Sequence, residues 1–556
     1  MTNEQWWQQH AYPVQSSKTE PSSSPPPERK LNYFSIPENI RAAKNAEKYH
    51  PHGRTIVVCL DGTGDKFDND NSNIVHFVSC LKKDDKTQVT YYQAGIGTYS
   101  AHGLSTGFEA ALDMAFGSLL SLHVKEAYDF LMHTYREGDK ICILGFSRGA
   151  YTARCLAGMV HKVGLLPPRN NAQIHFAYDM YRDDSPEGWK QSAQFKETFC
   201  MDVSVYFLGL FDSVASVGVI PRELPLFTSS GNQCRFFRHA LALDERRAKF
   251  KACRYQTKDA GPQDRKSSTP TTPADASQQC QANGFVPGHR PPNVRLRTWP
   301  HTSTDDTSWR TEVDSPEHAH EAHTRPRKHP RTDVLEVWFA GCHRSVGGGA
   351  FLNETRHKLS NIPLRWMIRQ CFECDTGIIF GTKALAEQGL DLHMLWPRYT
   401  KLEVPILGPP PSLIERYESG LPPKTRRSSR LIPVTRMSKK KGAFFELQIS
   451  EEDADHSNAE WLPEQIEDCF DALGPVNDPL ARWTPWWILE VWPVEYEVLN
   501  ESGNIWETRF GMNKARPRPV MGSEPNLHWT VKHRMTKLNY KYKAIMEKDA
   551  MWQVVA

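Results

Sequence analysis

A short apolar run that ends in a Gly-x-Ser-x-Gly pattern constrains the fold of this chain more than any other feature. Residues 141–144 are apolar, and Gly145-Phe-Ser147-Arg-Gly149 follows them at once, before small residues that favour a helix. This succession predicts a strand, a sharp turn and a helix, a layout that exposes a serine above a sheet. The glycines leave room at a turn that holds the serine in a strained conformation. Ser147 is therefore the candidate nucleophile.

Length and composition describe a globular protein with inserted loops. The 556 residues are 39% hydrophobic and 24% charged, and they include 39 prolines. A net charge of +3 gives no global basic excess, so we expect no nucleic-acid partner. The polar N-terminus and the lack of a run of about eighteen apolar residues predict neither a secretory signal nor a membrane span. Scattered cysteines without a regular framework indicate reduced thiols, so we expect a soluble, cytoplasmic protein.

Composition also divides the chain into three parts. Residues 1–50 are predicted to be a disordered leader. Residues 51–400 are predicted to form an α/β-hydrolase-like catalytic domain, with a mostly parallel sheet flanked by helices. Within it, residues 256–331 are rich in Ser, Thr, Pro, Gln and His and predict a disordered insertion. Residues 401–556 are predicted to be a C-terminal extension that packs on the catalytic domain.

The C-terminal extension contains many tryptophans, together with one basic and one acidic stretch. The charged stretches are typical of solvated loops. Tryptophans most often fill a core or cover a flank, but a Trp-rich segment beside a basic patch also suits contact with lipid. Both interpretations of the extension stay open at this point.

Three segments carry helical patterns. Residues 118–135 place apolar side chains on one face, as an amphipathic helix does. A short charged helix is predicted around residues 39–49. Residues 238–247 are predicted to be a helix with charge pairs four residues apart and a structural role.

An acid and a histidine follow two later strands. Residues 203–211 form an apolar run that leads into Asp212, and residues 334–340 form another that leads into His343 and three nearby glycines. Catalytic groups collect at the carboxyl ends of strands in α/β sheets. Asp212 alone is also explained as a cap or turn residue. The order Ser147, Asp212, His343 is nevertheless the chain order of α/β-hydrolases, so we expect a Ser-Asp-His triad.

A polar loop after the first strand is the candidate oxyanion site. The Asp-Gly-Thr of residues 61–63 is also typical of haloacid-dehalogenase-type phosphatases, but Cys59 stands where their nucleophilic carboxylate would be. The backbone N–H groups of Gly62 and Thr63, with that of Arg148 after the nucleophile, are instead candidate donors to an oxyanion. A polar turn capped by its own side chains is the alternative for this loop.

Nothing in the sequence predicts a metal or a cofactor. Cys371 and Cys374 lack the second pair that a structural zinc site needs. The histidines at 318, 320 and 323 fall in the predicted insertion, where ligands would not be held in position.

Five motifs together resemble an uncharacterised α/β-hydrolase family that includes the catalytic domain of bacterial type VI secretion phospholipase effectors. Many of its fungal members carry long insertions like the one predicted here. The resemblance spans about residues 54–375, and a weaker similarity lies at residues 528–534. The motifs lie at residues 61–63, 145–154, 210–214, 239–247 and 338–349.

The resemblance implies a Ser-Asp-His hydrolase, with phospholipase A activity in the secreted bacterial members. Ser147, Asp212 and His343 fall on the family's triad positions. One departure is that the family usually reads His-Ser-Asp-Val-Gly-Gly-Gly, whereas Arg344 and Ser345 stand here in place of Ser-Asp.

These inferences predict a serine hydrolase that cleaves carboxylic esters, among them phospholipid or other lipid acyl esters, without a metal or organic cofactor. Its partners would be an ester or lipid substrate and, through peripheral contact, a membrane surface. The changed residues after His343 and the predicted insertion favour one alternative, a catalytically impaired hydrolase-fold protein that acts as a binding or scaffold module.

Overall fold

The computed structural model describes residues 35–50, 53–95, 108–214, 234–255, 331–405, 431–433, 444–447, 463–481 and 486–556. Most of the predicted leader, of the insertion and of the basic stretch (residues 424–441), and all of the acidic stretch (residues 451–460), lie outside these residues.

The strands of the described residues are, in chain order, β1 (Ser35–Pro37), β2 (Asn39–Arg41), β3 (Thr55–Leu60), β4 (Gln88–Gln93), β5 (Lys140–Phe146), β6 (Val205–Phe211), β7 (Cys234–Ala242), β8 (Asp333–Phe339), β9 (Ile379–Gly381), β10 (Leu431–Pro433), β11 (Phe444–Leu447), β12 (Pro493–Leu499), β13 (Trp506–Met512), β14 (Pro519–Val520), β15 (Asn526–His528), β16 (Ile545–Met546) and β17 (Gln553–Val555). The α-helices are α1 (Asn73–Cys80), α2 (Phe108–Thr134), α3 (Ser147–Val163), α4 (Ile174–Arg182), α5 (Pro186–Phe199), α6 (His343–Gly347), α7 (Asn361–Glu373), α8 (Thr382–Glu387), α9 (Leu392–Leu395), α10 (Pro463–Ala472), α11 (Trp486–Glu490) and α12 (Trp529–Leu538). A 3₁₀ turn, Asn171–Gln173, precedes α4.

One large parallel sheet organises the molecule. Its eight strands lie in the order β17-β15-β8-β7-β6-β5-β3-β4, and every neighbouring pair is parallel. Parallel strands need crossover connections, and helices supply many of them here. The predicted α/β fold class, a mostly parallel sheet flanked by helices, is confirmed.

The central strands are buried on both faces, which explains their nearly continuous apolar sequences. All six residues of β3 are buried. Successive side chains of a strand point to opposite faces, so Ile56 and Val58 enter one core cluster while Val57 and Cys59 enter the other.

Helices cover both faces of the sheet. Side chains of α2, α3, α4 and α5 pack in the cluster that contains Ile56, and side chains of α1 and α7 pack in the cluster that contains Val57. The predicted amphipathic helix at residues 118–135 is confirmed as part of α2, with Leu120, Val124 and Leu131 buried. Within the described part of the chain, every helix is too short or too polar to cross a bilayer.

The C-terminal extension contributes directly to this sheet. Strand β15 pairs with β8, and β17 pairs with β15, so the sheet continues past the boundary expected at residue 400. Buried ion pairs also tie the extension to α7: Arg369 binds Glu464, and Arg365 binds Asp468 and Asp471. Removing one partner of such a pair typically costs about 3–5 kcal/mol.

Two segments predicted as helices are strand and loop instead. Asn39–Arg41 forms β2, which pairs with β9, so the expected charged helix around residues 39–49 is wrong. The segment predicted as a helix at residues 238–247 begins inside β7 and continues as a loop. Pairing of β7 with β6 and β8 buries it, and this tertiary context overrides the local charge pattern.

Candidate active site

Four loops meet at the carboxyl edge of the sheet. Ser147 directly follows β5, Asp212 directly follows β6, and His343 comes shortly after β8. Asp61 directly follows β3, the neighbour of β5. Because all of these strands are parallel, the residues after them converge on one side of the molecule.

The structure brings the three candidate triad residues into one hydrogen-bonded chain. His343 Nε2 lies 2.8 Å from Ser147 Oγ, and His343 Nδ1 lies 2.6 Å from Asp212 Oδ2. All three side chains are buried. With the ring proton on Nδ1, His343 donates to Asp212 and leaves Nε2 free to accept the serine proton.

The turn at Ser147 is strained and tightly packed. Ser147 has φ 57°, in the left-handed region that non-glycine residues seldom adopt. A Cβ on Gly145 would lie 2.6 Å from Ala150 Cα, and a Cβ on Gly149 would lie 2.2 Å from the Asp61 carbonyl oxygen. Both glycines are therefore required for α3 to approach the sheet, as the sequence pattern predicts.

The glycines after His343 have the same kind of role. Gly348 and Gly349 have φ of 83° and 77°, respectively. A Cβ on Gly347 would lie 1.8 Å from a ring atom of Phe146. Phe146 stacks on the imidazole of His343 with ring centroids 4.8 Å apart, so this close packing fixes the ring's position.

Asp212 is a buried carboxylate with four hydrogen-bond donors around it. Oδ1 accepts from the Ala242 N–H at 3.0 Å and from Arg518 Nη1 at 2.6 Å. Oδ2 accepts from Arg518 Nη2 at 3.0 Å in addition to His343 Nδ1. Sequence reasoning did not find Arg518, because it lies 306 positions from its partner and belongs to no recognisable motif.

Burial and neighbouring charges set the ionisation of the triad. Burial alone would raise the pKa of Asp212, but Arg518 and His343 outweigh it and hold the pKa well below its usual range. Burial lowers the pKa of His343, against the opposing pull of Asp212. Asp212 is therefore ionised and His343 neutral near neutral pH, the resting state that a serine nucleophile needs.

Glu245 and Arg247 form a second ionic layer against the imidazole loop. Glu245 is buried, binds Arg247 through both carboxylate oxygens, and accepts the His343 backbone N–H at 3.2 Å. Burial would raise the pKa of Glu245, but Arg247 brings it down to about 2. The Arg247 guanidinium also lies 3.4 Å from the ring centroid of Phe250, which packs edge-on against His343. Predicting residues 238–247 as a helix concealed this role.

The loop at residues 61–63 lies beside Ser147, but Gly62 and Thr63 are not equivalent as candidate hydrogen-bond donors to an oxyanion. The Gly62 N–H donates to the Asp61 carboxylate at 2.8 Å and is therefore already engaged. Thr63 lines the cavity at Ser147, and its Oγ1 is buried without a hydrogen-bond partner. Of the predicted oxyanion donors, Thr63 and Arg148 line this cavity, whereas Gly62 does not.

The residue that departs from the family pattern, Arg344, turns away from the imidazole. Its Nη2 donates to Asp65 Oδ1 at 2.9 Å, and its Nη1 donates to the Gly349 carbonyl oxygen. Burial raises the pKa of Asp65 to about 7, although Arg344 opposes the rise. Arg344 thus joins the imidazole loop to the loop after β3. Ser345 lies beneath Gly341, with its hydroxyl buried and unpartnered.

A cavity of about 80 Å³ opens beside Ser147 and His343. Its lining has an apolar part, formed by Phe146, Val214, Phe250, Trp486 and Leu489. Its cationic lining residues are Arg148, Arg247, Lys249 and Arg344. Among the described residues that line the cavity, Asp65 is the one with an acidic side chain. Across the described residues, no cluster of three or more His, Cys, Asp or Glu side chains is arranged to hold a metal ion.

Comparison with known proteins finds a relative that matches most of this chain and solved structures that match parts of it. An uncharacterised protein of Saccharomyces cerevisiae, YEL023C, is 28% identical over 584 residues, covering 90% of this chain and 81% of the yeast protein. The crystal structure of an uncharacterised Pseudomonas aeruginosa protein covers 59% of this chain and 46% of its own, at 15% identity and a TM-score of 0.28. The Tle1 effector bound to the VgrG spike of the Type 6 secretion system covers 38% of this chain and 53% of its own, at 17% identity and a TM-score of 0.22.

This chain thus spans about half the length of the two solved chains. Residues 54–370 match the family described as the T6SS phospholipase effector Tle1-like catalytic domain. That match includes the three residues of the hydrogen-bonded chain and all strands of the sheet from β3 to β8. The chain therefore belongs to the Tle1-like phospholipase effector catalytic-domain family.

Proposed function

We propose that this protein is a serine hydrolase that cleaves carboxylic esters, and phospholipid acyl esters in particular, with Ser147, Asp212 and His343 as its catalytic triad. The observation that carries the proposal is the unbroken contact from Ser147 Oγ through the His343 ring to Asp212, at 2.8 and 2.6 Å. The family to which the chain belongs is one of phospholipase-type hydrolases, which supports the same reaction class.

The first half of the proposed reaction forms an acyl-enzyme. Ser147 Oγ attacks the ester carbonyl carbon while His343 Nε2 takes the serine proton, and Asp212 stabilises the resulting imidazolium. The tetrahedral intermediate then collapses, its bond to the alcohol oxygen breaks, and His343 returns the proton to that alcohol. The acyl group remains on Ser147.

Water completes the cycle. His343 Nε2 takes a proton from the water that attacks the acyl carbon, and returns it to Ser147 Oγ as the carboxylic acid leaves. Backbone N–H groups of Thr63 and Arg148 are the proposed donors to the oxyanion formed in each half. Gly62 is no longer favoured as a donor, because its N–H already binds the Asp61 carboxylate.

The mixed lining of the cavity supports a substrate with an apolar and an anionic portion. A phospholipid has an acyl chain that suits apolar lining residues such as Leu489, and a phosphate that suits cationic lining residues such as Lys249. At about 80 Å³ the cavity holds the ester group rather than a whole lipid.

Peripheral contact with a membrane surface is the second part of the proposal. Helix α11 lines the cavity with Trp486 and Leu489 and then exposes large apolar side chains to solvent. Ile488 of α11 is 65% exposed, and Val491 and Trp492, which follow the helix, are 55% and 49% exposed. Phe510 of β13 is 70% exposed. Apolar side chains beside a lipid-binding cavity would insert into the headgroup region and bring an ester bond to Ser147.

Location in the cytoplasm is proposed on chemical grounds. None of the cysteines that the structure describes forms a disulfide, and most are buried, as expected in a reducing compartment. Fractionation of cells that express the tagged protein would place it, and recovery in the secreted fraction alone would contradict this proposal.

The decisive experiment compares the wild type with Ser147→Ala on p-nitrophenyl butyrate and on phosphatidylcholine vesicles. Loss of a triad member should lower kcat by about 10⁴-fold or more. Ser192→Ala is the matched control, because it removes a buried serine hydroxyl on α5, away from the cavity. Equal rates in the wild type and Ser147→Ala would refute the triad.

The binding or scaffold alternative predicts a different result in a second assay. An activated serine reacts with a fluorophosphonate probe, whereas an inactive hydrolase fold does not. Labelling of the wild type and of Ser192→Ala, but not of Ser147→Ala, is the expected outcome. A wild type that folds normally and stays unlabelled would instead favour the scaffold function.

A further inference from the structure

We propose that Arg518 is a positioning residue of the triad: its guanidinium binds both carboxylate oxygens of Asp212 and determines how strongly that acid supports His343. The inference rests on the proposed function. It assigns a role in the site to the C-terminal extension, which lies outside the part of the chain that matches the family.

The contact is bidentate and buried. Arg518 Nη1 lies 2.6 Å from Asp212 Oδ1 and Nη2 lies 3.0 Å from Oδ2, and both side chains are almost fully buried. A planar guanidinium that pairs with both oxygens fixes the carboxylate plane. Asp212 itself has φ 41°, so its backbone is strained and benefits from being held.

Arg518 is anchored independently of Asp212. Its Nε donates to the Phe250 carbonyl oxygen at 3.0 Å and its Nη1 also donates to the Ala242 carbonyl oxygen at 3.2 Å. Its own carbonyl oxygen accepts the Ile545 N–H at 2.9 Å, beside the pairing of β14 with β16. Two backbone carbonyl oxygens thus hold the guanidinium, and the backbone of Arg518 is itself hydrogen-bonded, so the guanidinium approaches Asp212 as a fixed group.

The charge of Arg518 distinguishes this triad from a simple acid–histidine pair. Asp212 Oδ2 is shared between His343 Nδ1 and Arg518 Nη2, so the carboxylate charge is divided between an imidazole and a permanent cation. The other charged groups that face His343 are Glu245, on its backbone N–H, and Arg247 beside Glu245. Dividing the carboxylate charge makes the imidazole a weaker base that stays neutral to lower pH.

Arg518 also reaches the imidazole through Phe250. Its Nε and Nη2 both donate to the Phe250 carbonyl oxygen, and the Phe250 ring packs edge-on against His343 with centroids 4.8 Å apart. One guanidinium therefore holds the acid that binds Nδ1 and the aromatic ring that confines the imidazole. Loss of Arg518 should loosen both contacts together.

The experiment measures the His343 pKa directly, by NMR titration of selectively labelled histidine, alongside the pH profile of p-nitrophenyl butyrate hydrolysis. In Arg518→Met the carboxylate charge is no longer shared, so the His343 pKa and the acidic limb of kcat/KM should both rise, by about one pH unit. We expect kcat to fall about 10–100-fold, the usual effect of losing such an orienting partner. Arg518→Lys retains the cation without the two-point contact and should give a smaller rise.

Arg369→Met is the matched control. Arg369 is a buried arginine on α7 that binds Glu464 of α10 through two nitrogens, just as Arg518 binds Asp212, but its carboxylate partner is outside the triad. The Arg369→Met variant should be less stable than the wild type, while its His343 pKa and its pH profile stay at wild-type values. If Arg518→Met does not fold, Arg518→Lys carries the same measurement.

The outcomes separate this inference from the proposed function. A folded Arg518 variant whose His343 pKa and pH limb match those of the wild type would overturn the role of Arg518, whatever the activity. A wild type that neither hydrolyses esters nor reacts with a fluorophosphonate would overturn the hydrolase, while the NMR titration would still decide whether Arg518 tunes His343.

Discussion

Gly347 lies directly over the ring of Phe146, so closely that a Cβ at position 347 would be 1.8 Å from Phe146 Cε2. Phe146 in turn stacks on the imidazole of His343. The glycine therefore sets the position of the ring on which the candidate base rests.

Gly347→Ala should displace Phe146 and with it His343. We expect destabilisation of about 1–3 kcal/mol, as for other overpacked sites, and a fall in esterase activity larger than the loss of folded protein explains. Urea unfolding and kcat on p-nitrophenyl butyrate measure the two effects. Gly381→Ala is the control, since its Cβ would meet nothing closer than 3.8 Å, and it should be close to neutral in both.

The strain at Ser147 should be measurable by comparing two variants that both lack the hydroxyl. At φ 57° glycine is relaxed and alanine is not, so Ser147→Gly should be more stable than Ser147→Ala by about 1 kcal/mol. Both should be inactive. At Ser192, in the interior of α5, the order should reverse, because glycine costs about 1 kcal/mol relative to alanine in a helix. The same order at both positions would contradict the strained turn.

Asp65 should make the protein less stable as pH rises, whereas a carboxylate with a lowered pKa does the opposite. Its pKa is about 7 in the folded protein, above the ordinary carboxyl value of 3.8, so between these values the folded state holds a proton that the unfolded state has released. Stability should then fall as pH rises through this window, at up to about 1.4 kcal/mol per pH unit. Asp65→Asn removes this contribution.

The check is the difference in unfolding free energy between Asp65→Asn and the wild type, measured from pH 4.5 to pH 8. The unfolding free energy of Asp65→Asn minus that of the wild type should increase as pH rises and level off above about pH 7. Asp84→Asn, which changes an exposed carboxylate, should show no such growth. A difference that stays constant with pH would contradict the raised pKa of Asp65.

The exposed apolar side chains of α11 and the residues after it should govern binding to lipid. Replacing Ile488 and Trp492 with serine removes two large apolar groups and should weaken association with phosphatidylcholine vesicles by about tenfold or more. Hydrolysis of soluble p-nitrophenyl butyrate should change little. Phe176→Ser, which alters a side chain 58% exposed on α4, is the control. Equal vesicle binding by all three proteins would exclude this surface from membrane contact.

The parts of the site that follow from the sequence are those with local signals. A nucleophile turn needs glycines at fixed positions beside the serine, and Gly145 and Gly149 have the close contacts that the pattern implies. Asp212 and His343 could be inferred because parallel strands bring successive loops to one edge of a sheet. Their catalytic role remains a prediction.

The parts that sequence reasoning missed depend on pairing between distant segments. Residues 238–247 carry charges at helical spacing, yet burial between two strands made residues 238–242 part of β7 and placed Glu245 in the following loop, where it accepts the His343 backbone N–H. Arg518 reaches Asp212 from 306 positions away, and a single arginine between prolines gives no periodic or spacing signal. The sequence likewise gives no signal that the Asp61 carboxylate accepts the Gly62 N–H, since only the three-dimensional geometry shows this hydrogen bond.

Because Arg518 follows all three triad residues in the chain, the ribosome adds it after them. Until residue 518 has left the ribosome, the carboxylate of Asp212 lacks the guanidinium that binds both of its oxygens, although every residue of the triad has already been made. A chain that stops short of this position, through early termination or proteolysis, would expose or misfold its acid instead of presenting a reactive serine. Fluorophosphonate labelling of chains shortened to residue 510 should therefore fail, because such chains lack both Arg518 and the sheet strands β15 and β17.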